Sequence, residues 1–220
     1  MADPLQRPRG ARPILCLVLE RRLAGAELPE RAARAVRGGV DWIQIREREL
    51  PGAALLALAD AVLAAARAAA ARAGRPLRAI VNRRSDIALA CGADGVHLGF
   101  DAADPASARA LLPAEALVGI SCHAPEEVLR AAPEASYAQL APIFAPLSKP
   151  SGRPPLGLDA LAAACRAGLP VLAQGGIARE NAARALAAGA AGIAVTGAIL
   201  QDPDPEAAAA RLRAVLDSAR

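Results

Sequence analysis

Eight short apolar runs recur along this chain, each followed by a stretch of alanine, leucine and arginine at helical spacing. They are 14–20 (ILCLVLE), 40–47 (VDWIQIRE), 77–82 (LRAIVN), 95–99 (GVHLG), 117–123 (LVGISCH), 137–144 (YAQLAPIF), 170–176 (PVLAQGG) and 192–199 (GIAVTGAI). Several helical stretches close on a glycine just before the next run, at Gly39, Gly74, Gly168 and Gly189, where a left-handed residue ends a helix. Eight strand–helix pairs in 220 residues predict an α/β fold: a single-domain (β/α)8 TIM barrel over 14–220, preceded by a flexible segment 1–13. An open doubly wound sheet would use fewer strands and place a glycine-rich turn after the first. The segment LERRLAGAE has no such turn.

Composition narrows the ligand. Hydrophobic residues make up 54% of the chain but aromatic ones only 2%, so alanine, leucine and valine must fill the core. Platforms for base stacking are missing, which argues against nucleic acid. The net charge of +4 is spread among glutamates along helices, which favours an anionic small molecule over a polyanion. The apolar stretch 53–71 is interrupted by Asp60 and Arg67 and reads as a helix rather than a membrane span. The N-terminal MADPLQRPRGARP lacks a signal peptide's apolar centre, and the expectation is a cytoplasmic protein with no membrane partner; a homo-oligomer is compatible with it. The four cysteines show neither CxxC nor zinc spacing and read as small buried hydrophobes.

In a (β/α)8 barrel the active site gathers at the C-terminal ends of the strands. Those ends carry Glu20; Gln44, Arg46 and Arg48; Asn82, Arg83 and Arg84; His97; His123; Gly175 and Gly176; and Thr196 and Gly197. The loop after the sixth run adds Ser148 and Lys149, the only lysine in a chain with twenty-five arginines. Cations, amides and glycines dominate, and carboxylates are few. Two features point to phosphate. The glycines of QGGI and TGAI follow runs seven and eight, where barrels commonly hold a phosphate on backbone N–H groups, although such glycines also serve tight turns. The cations Arg46, Arg48, Arg83, Arg84 and Lys149, with the Asn82 amide, suit a more highly charged anion such as pyrophosphate; an ordinary basic rim is the alternative.

His123 ends the fifth run, where a proton carrier would face a ligand, though a lone histidine is often structural. His97 reads as a core or supporting residue and Glu127 as a first-turn helix carboxylate. Neighbouring strand residues face opposite sides, so Cys122 and His123 do not form a catalytic pair.

Taken together, these strand-end motifs resemble the thiamine phosphate synthase family, which includes the related thiazole tautomerases. The matching segments are QIRER (44–48), VNRRSDIALACGADGVHLG (81–99), GISCHAPEE (119–127), LAPIFAPLSKPSGRPPLGLDAL (140–161), VLAQGGI (171–177) and GIAVTGAI (192–199). The resemblance implies the joining of hydroxymethylpyrimidine pyrophosphate to thiazole phosphate, giving thiamine phosphate and pyrophosphate. It implies that Gln44, Arg46, Arg48, Asn82 and Lys149 hold the pyrophosphate, and that Ser148 takes the second hydroxyl position of a Thr-x-Thr-Lys loop. Gly176 and the backbone of Thr196 and Gly197 would hold the thiazole phosphate.

Three departures stand out. The family's first Mg²⁺ aspartate position holds Arg83, the second holds Ala102, and the first loop threonine is Pro146. A guanidinium is no Mg²⁺ ligand, so magnesium use is in doubt and no metal ligand is assigned; Asp86, Asp101 and Asp104 are the nearby carboxylates. The implied functions are a synthase in which Arg83 supplies charge in the metal's place, a thiazole tautomerase in which His123 moves the proton, or a non-catalytic barrel that binds thiamine phosphate or its precursors.

Overall fold

The computed structural model describes residues 12–99, 104–145 and 154–219. Eight strands form, each shorter than its apolar run: β1 Ile14–Leu19, β2 Trp42–Ile45, β3 Arg78–Asn82, β4 Gly95–Leu98, β5 Leu117–Cys122, β6 Tyr137–Leu140, β7 Val171–Gln174 and β8 Gly192–Val195. The sixth run stops at Leu140 because Pro142 has no N–H for the ladder. The eighth stops at Val195 because its second half, expected as strand, folds into a short helix, Gly197–Leu200. All pairs are parallel, and β1 pairs with both β2 and β8, which closes the barrel. A closed sheet leaves no edge.

The outer layer comprises α1 Leu28–Arg37, α2 Gly52–Arg72, α3 Ser85–Ala90, α4 Pro105–Leu111, α5 Pro125–Ala131, α6 Gly157–Cys165, α7 Ala182–Ala187 and α8 Pro205–Ser218. Among the described residues α2 is the one helix long and apolar enough to cross a membrane. Here it is a barrel helix, burying Leu55, Ala59, Val62, Leu63 and Ala66. Alanine on the inner helix faces permits close approach: a Cβ on Gly38, just after α1, would lie 2.1 Å from the Glu206 carbonyl oxygen of α8.

Inside the barrel, Cys16, Val18, Trp42, Ile80, Leu117, Tyr137 and Leu172 form an apolar plug. The Trp42 and Tyr137 rings meet edge to face at 5.0 Å. Gly119 makes room for this plug, since a Cβ there would sit 2.1 Å from Tyr137 Cζ.

Below the plug, a polar residue just before β2, β4 and β6 reaches back to the preceding strand. Asp41 Oδ2 accepts the Leu15 N–H (2.8 Å), Asp94 Oδ2 the Ala79 N–H (2.8 Å) and Ser136 Oγ the Val118 N–H (3.0 Å). Each is held by arginine: Asp41 by Arg213 at 2.8 Å and Arg12 at 3.2 Å, Asp94 by Arg78 at 2.9 Å, and Ser136 by Arg109. Arg213 is 5% exposed and also donates to the Pro13 carbonyl. Of the expected flexible segment, residues 1–11 lie outside the described residues, whereas Arg12 and Pro13 are tied to the barrel by these contacts.

The expectation of four buried cysteines holds for Cys16 and Cys122; Cys91 and Cys165 are half-buried, and all four are free thiols. Burial pushes the Cys122 thiol up to about 12 and that of Cys165 to about 11, so neither is an activated nucleophile.

Candidate active site

Above the aromatic plug the lumen turns from apolar to polar. Gln139 on β6 donates from Nε2 to Gln44 Oε1 at 2.6 Å, and Gln44 on β2 donates from Nε2 to Asn82 Oδ1 at 2.9 Å. β2 and β6 stand opposite each other in the eight-stranded barrel, so this chain crosses the lumen. All three amides are buried, at 2%, 2% and 4% exposure for Gln139, Gln44 and Asn82. A buried amide needs a partner, and here each supplies the next.

A second pair of contacts runs beside the first. His97 on β4 meets Tyr137 Oη at 3.1 Å through Nδ1 and Ser121 Oγ at 2.8 Å through Nε2. Burial, with a smaller contribution from the Arg46 charge, lowers the imidazole to about 3, so His97 is neutral near pH 7. Its role is to hold the half-buried Ser121 hydroxyl at the mouth of the lumen.

The rim residues surround this floor. Arg46 continues the β1–β2 ladder through its N–H to the Leu19 carbonyl, and its guanidinium pairs with Glu20. Arg83 is the one non-glycine residue with positive φ among the described residues (67°), and its N–H donates to the His97 carbonyl at 2.8 Å. That left-handed turn ends β3 sharply at the lumen. Arg48 is exposed on the following segment. Arg84 instead grips Asp86 through both carboxylate oxygens, at 2.8 and 2.6 Å. His123 is held twice: its N–H donates to Glu127 Oε2 at 2.6 Å, and Nδ1 lies 2.7 Å from the Ala141 carbonyl. A carbonyl only accepts, so Nδ1 carries a proton and Nε2 is the ring nitrogen left for another partner.

Across the barrel mouth a cavity of about 420 Å³ opens between the ends of β7 and β8, lined by Gln174, Gly175, Gly176, Thr196, Gly197 and Gln201. Gly175 and Gly176 have φ of 87° and 63°. Side chains there would collide as well, since a Cβ would lie 2.6 Å from Pro142 Cα and 2.3 Å from the Ala145 carbonyl oxygen, respectively. Packing therefore already requires both glycines. The Asn181 side-chain amide holds the Gly176 carbonyl at 2.8 Å, and the short helix Gly197–Leu200 begins at the cavity. Loops after strands seven and eight together with a short extra helix are the usual phosphate-binding place of this fold.

Magnesium fits this site poorly. The position after Asn82 carries a guanidinium. Asp86 is engaged by Arg84, and both oxygens of Asp104 cap α4 through the Ser107 N–H and Oγ. Asp101 and Ala102 lie outside the described residues, and among those described no group of three or more potential metal ligands occurs.

The structure brings Gln44, Arg46, Asn82, Arg83, His123, Gly175, Gly176, Thr196 and Gly197 to one end of the barrel. Ser148 and Lys149 lie outside the described residues. Sequence reasoning passed over Gln139 and gave Ser121, within GISCHAPEE, no role. The signal for Gln139 was a lone amide in an apolar run, and for Ser121 a hydroxyl two residues before His123.

Fold and site together define a (β/α)8 barrel enzyme of the kind whose chemistry sits at the C-terminal ends of its strands. The model of the family described as thiamine monophosphate synthase matches residues 15–199, and the chain belongs to that family. It is 41% identical to the thiamine-phosphate synthase of Roseiflexus sp. (strain RS-1), over 99% of this chain and 91% of that one. It is 40% identical to the thiamine-phosphate synthase of Chlorobium luteolum, over 94% and 95%. Among solved structures it is similar to the thiamine phosphate pyrophosphorylase from Pyrococcus furiosus, with a TM-score of 0.81 and 28% identity over 94% of this chain and 96% of that one.

Proposed function

We propose that this chain is a thiamine-phosphate synthase, a transferase that joins hydroxymethylpyrimidine pyrophosphate to thiazole phosphate. The C–O bond between the pyrimidine methylene and the pyrophosphate breaks, and the pyrophosphate leaves with the bonding electrons. The thiazole nitrogen lone pair then closes on the methylene carbon, giving thiamine phosphate. One observation carries this reading: two places suited to anions share one barrel end, the β7–β8 cavity and the amide-and-arginine end of β2 and β3. Two phosphorylated substrates need two such places.

In this reading Gly176 and the Thr196–Gly197 backbone hold the thiazole phosphate. Gln44, Asn82, Arg46, Arg48 and Lys149 hold the pyrophosphate, with Ser148 beside the lysine. Stabilising the charge that gathers on the leaving group is the main catalytic task, and preorganised cations serve it. The described residues do not make a Mg²⁺ site, and in this reading that charge falls to the arginines, Arg83 included, and to Lys149. No proton moves in this transfer; His123, at the end of β5, is the proton carrier of the tautomerase reading below. A cytoplasmic location suits phosphorylated substrates of this kind.

The poor metal fit favours a second reading, a thiazole tautomerase, which needs neither pyrophosphate nor metal. The Arg46 and Arg83 end of the barrel would then have no ligand, and the named relatives are synthases. Equilibrium titration separates the two. A synthase binds hydroxymethylpyrimidine pyrophosphate and thiazole phosphate each on its own; binding of the thiazole compound alone would leave the tautomerase.

A further inference from the structure

Glu20 takes no part in holding either anion, yet it stands among the cations, amides and glycines of the lumen mouth. Its direction follows from strand alternation. Cys16 and Val18 on β1 belong to the apolar plug inside the barrel, whereas Leu15, Leu17 and Leu19 belong to the core shared with the helices. Glu20 keeps an extended backbone (φ −127°, ψ 116°) and so falls in the inward register. On β2 the same alternation turns Trp42, Gln44 and Arg46 inward, and an ion pair joins Glu20 Oε1 to Arg46 Nη1. The other Glu20 carboxylate oxygen has no partner among the described residues. Neighbouring carboxylates are committed elsewhere: Glu127 to the His123 N–H, Glu47 to the Arg21 N–H and Asp86 to Arg84.

We propose that Glu20 is a catalytic carboxylate that faces the reacting methylene and stabilises the positive charge that forms on it. The strand order carries this assignment. β1 pairs with β2 on one side and β8 on the other, so Glu20 rises between the amide-and-arginine end of β2 and β3 and the β7–β8 cavity. Between the two bound anions the pyrimidine methylene meets the thiazole nitrogen. When the C–O bond breaks, the electron pair leaves on the pyrophosphate and the methylene carbon is left cationic; the new C–N bond then passes the positive charge to the thiazole ring. Glu20 forms no bond in these steps. It supplies a fixed counter-charge for the cation, while Arg46 supplies one for the departing anion. As pyrophosphate draws on the Arg46 donors, less of the Glu20 charge is compensated, so the carboxylate acts most strongly as the ions separate. At 19% side-chain exposure it is shielded from much of the solvent, where attraction between charges is stronger than in water. The proposal rests on the synthase reading, and its test separates the two.

A charged probe tests this role. Aminomethylpyrimidine carries an ammonium group, near neutral pH, beside the reacting methylene position, and hydroxymethylpyrimidine is its neutral counterpart. With inorganic pyrophosphate present, the wild type should bind the ammonium probe more tightly than the alcohol. Glu20→Gln keeps the shape and removes the charge; it should weaken the ammonium probe about tenfold and the alcohol hardly at all. Its single-turnover rate with both substrates should fall about tenfold, while the Kd of inorganic pyrophosphate does not rise. If Glu20→Gln does not fold, Glu20→Asp, which sets the charge one methylene further back, should still weaken the ammonium probe more than the alcohol. Equal losses for the two probes, no preference for the ammonium probe in the wild type, or an unchanged single-turnover rate would overturn the proposal. So would a raised Kd for pyrophosphate, because Glu20 would then serve to aim Arg46. Wild-type protein that binds no inorganic pyrophosphate would instead overturn the synthase reading itself.

Discussion

At the N-terminal end of the barrel, Asp41 is surrounded by donors: the Leu15 N–H and the guanidinium groups of Arg213, Arg12 and Arg75. At the C-terminal end, Arg46 has Glu20 for a partner and is 30% exposed, and Arg48 is exposed outright. Both ends use arginine. Below, the charges pair with one another around an Arg213 that is 5% exposed, and they join β1 to β2 and to α8. Above, they are half-solvated and lie beside a polar floor and an open cavity. Burial shuts Arg213 away from any ligand, whereas a cation open to solvent is what an anion requires. The difference teaches where to expect loss of fold and where loss of chemistry.

The sharpest way to break the comparison is Asp41→Ala, which strips the Leu15 N–H of its acceptor and leaves Arg213 with Asp217 as its remaining carboxylate. The cost should be about 3–5 kcal/mol of stability, read from urea unfolding, with kcat of the folded fraction unchanged. A variant as stable as the wild type would show that the lower end is not the clasp described. Next in size is Arg46→Met, for which kcat/KM should fall about 100-fold, some 2.7 kcal/mol of transition-state stabilisation, while the urea midpoint barely moves. Unfolding in step with lost activity would mean that Arg46 is a structural group like Arg213.

A smaller effect per pH unit sharpens the boundary between the ends. His97 is buried neutral at about 3, against an ordinary value near 6.5. Below pH 6.5 the unfolded chain takes up a proton that the native state does not. Native stability should therefore fall by about 1.4 kcal/mol per pH unit as pH drops from 6.5 toward 3, on top of the carboxylates' contribution. In His97→Gln that part of the slope disappears, so the gap between the two unfolding curves narrows as pH falls. A constant gap would show that His97 titrates normally.

Much of this was readable in the sequence because burial on both faces gives parallel strands a continuous apolar signal. Eight such runs give the barrel, and the barrel gives the strand ends where Arg46, Asn82 and Thr196 stand together. Strand limits were less legible. Apolar composition continues past Leu140 and Val195, and it does not distinguish a strand from the proline turn or the short helix that follows. The Gln139–Gln44 contact was illegible for another reason. It joins residues 95 apart in sequence across a lumen, and its existence depends on β2 lying opposite β6. The glycines of the β7–β8 end carried two readings in the sequence, a phosphate loop and a tight turn, and the structure gives them both a cavity to line and a packing need against Pro142 and Ala145.

The most direct measurement is the formation of thiamine phosphate by the purified protein from hydroxymethylpyrimidine pyrophosphate and thiazole phosphate, with Mg²⁺ or with EDTA. An arginine-built leaving-group site predicts product in both conditions. Product only with Mg²⁺ would contradict the replacement of the metal by Arg83, and no product in either, at high enzyme concentration, would contradict the synthase assignment itself.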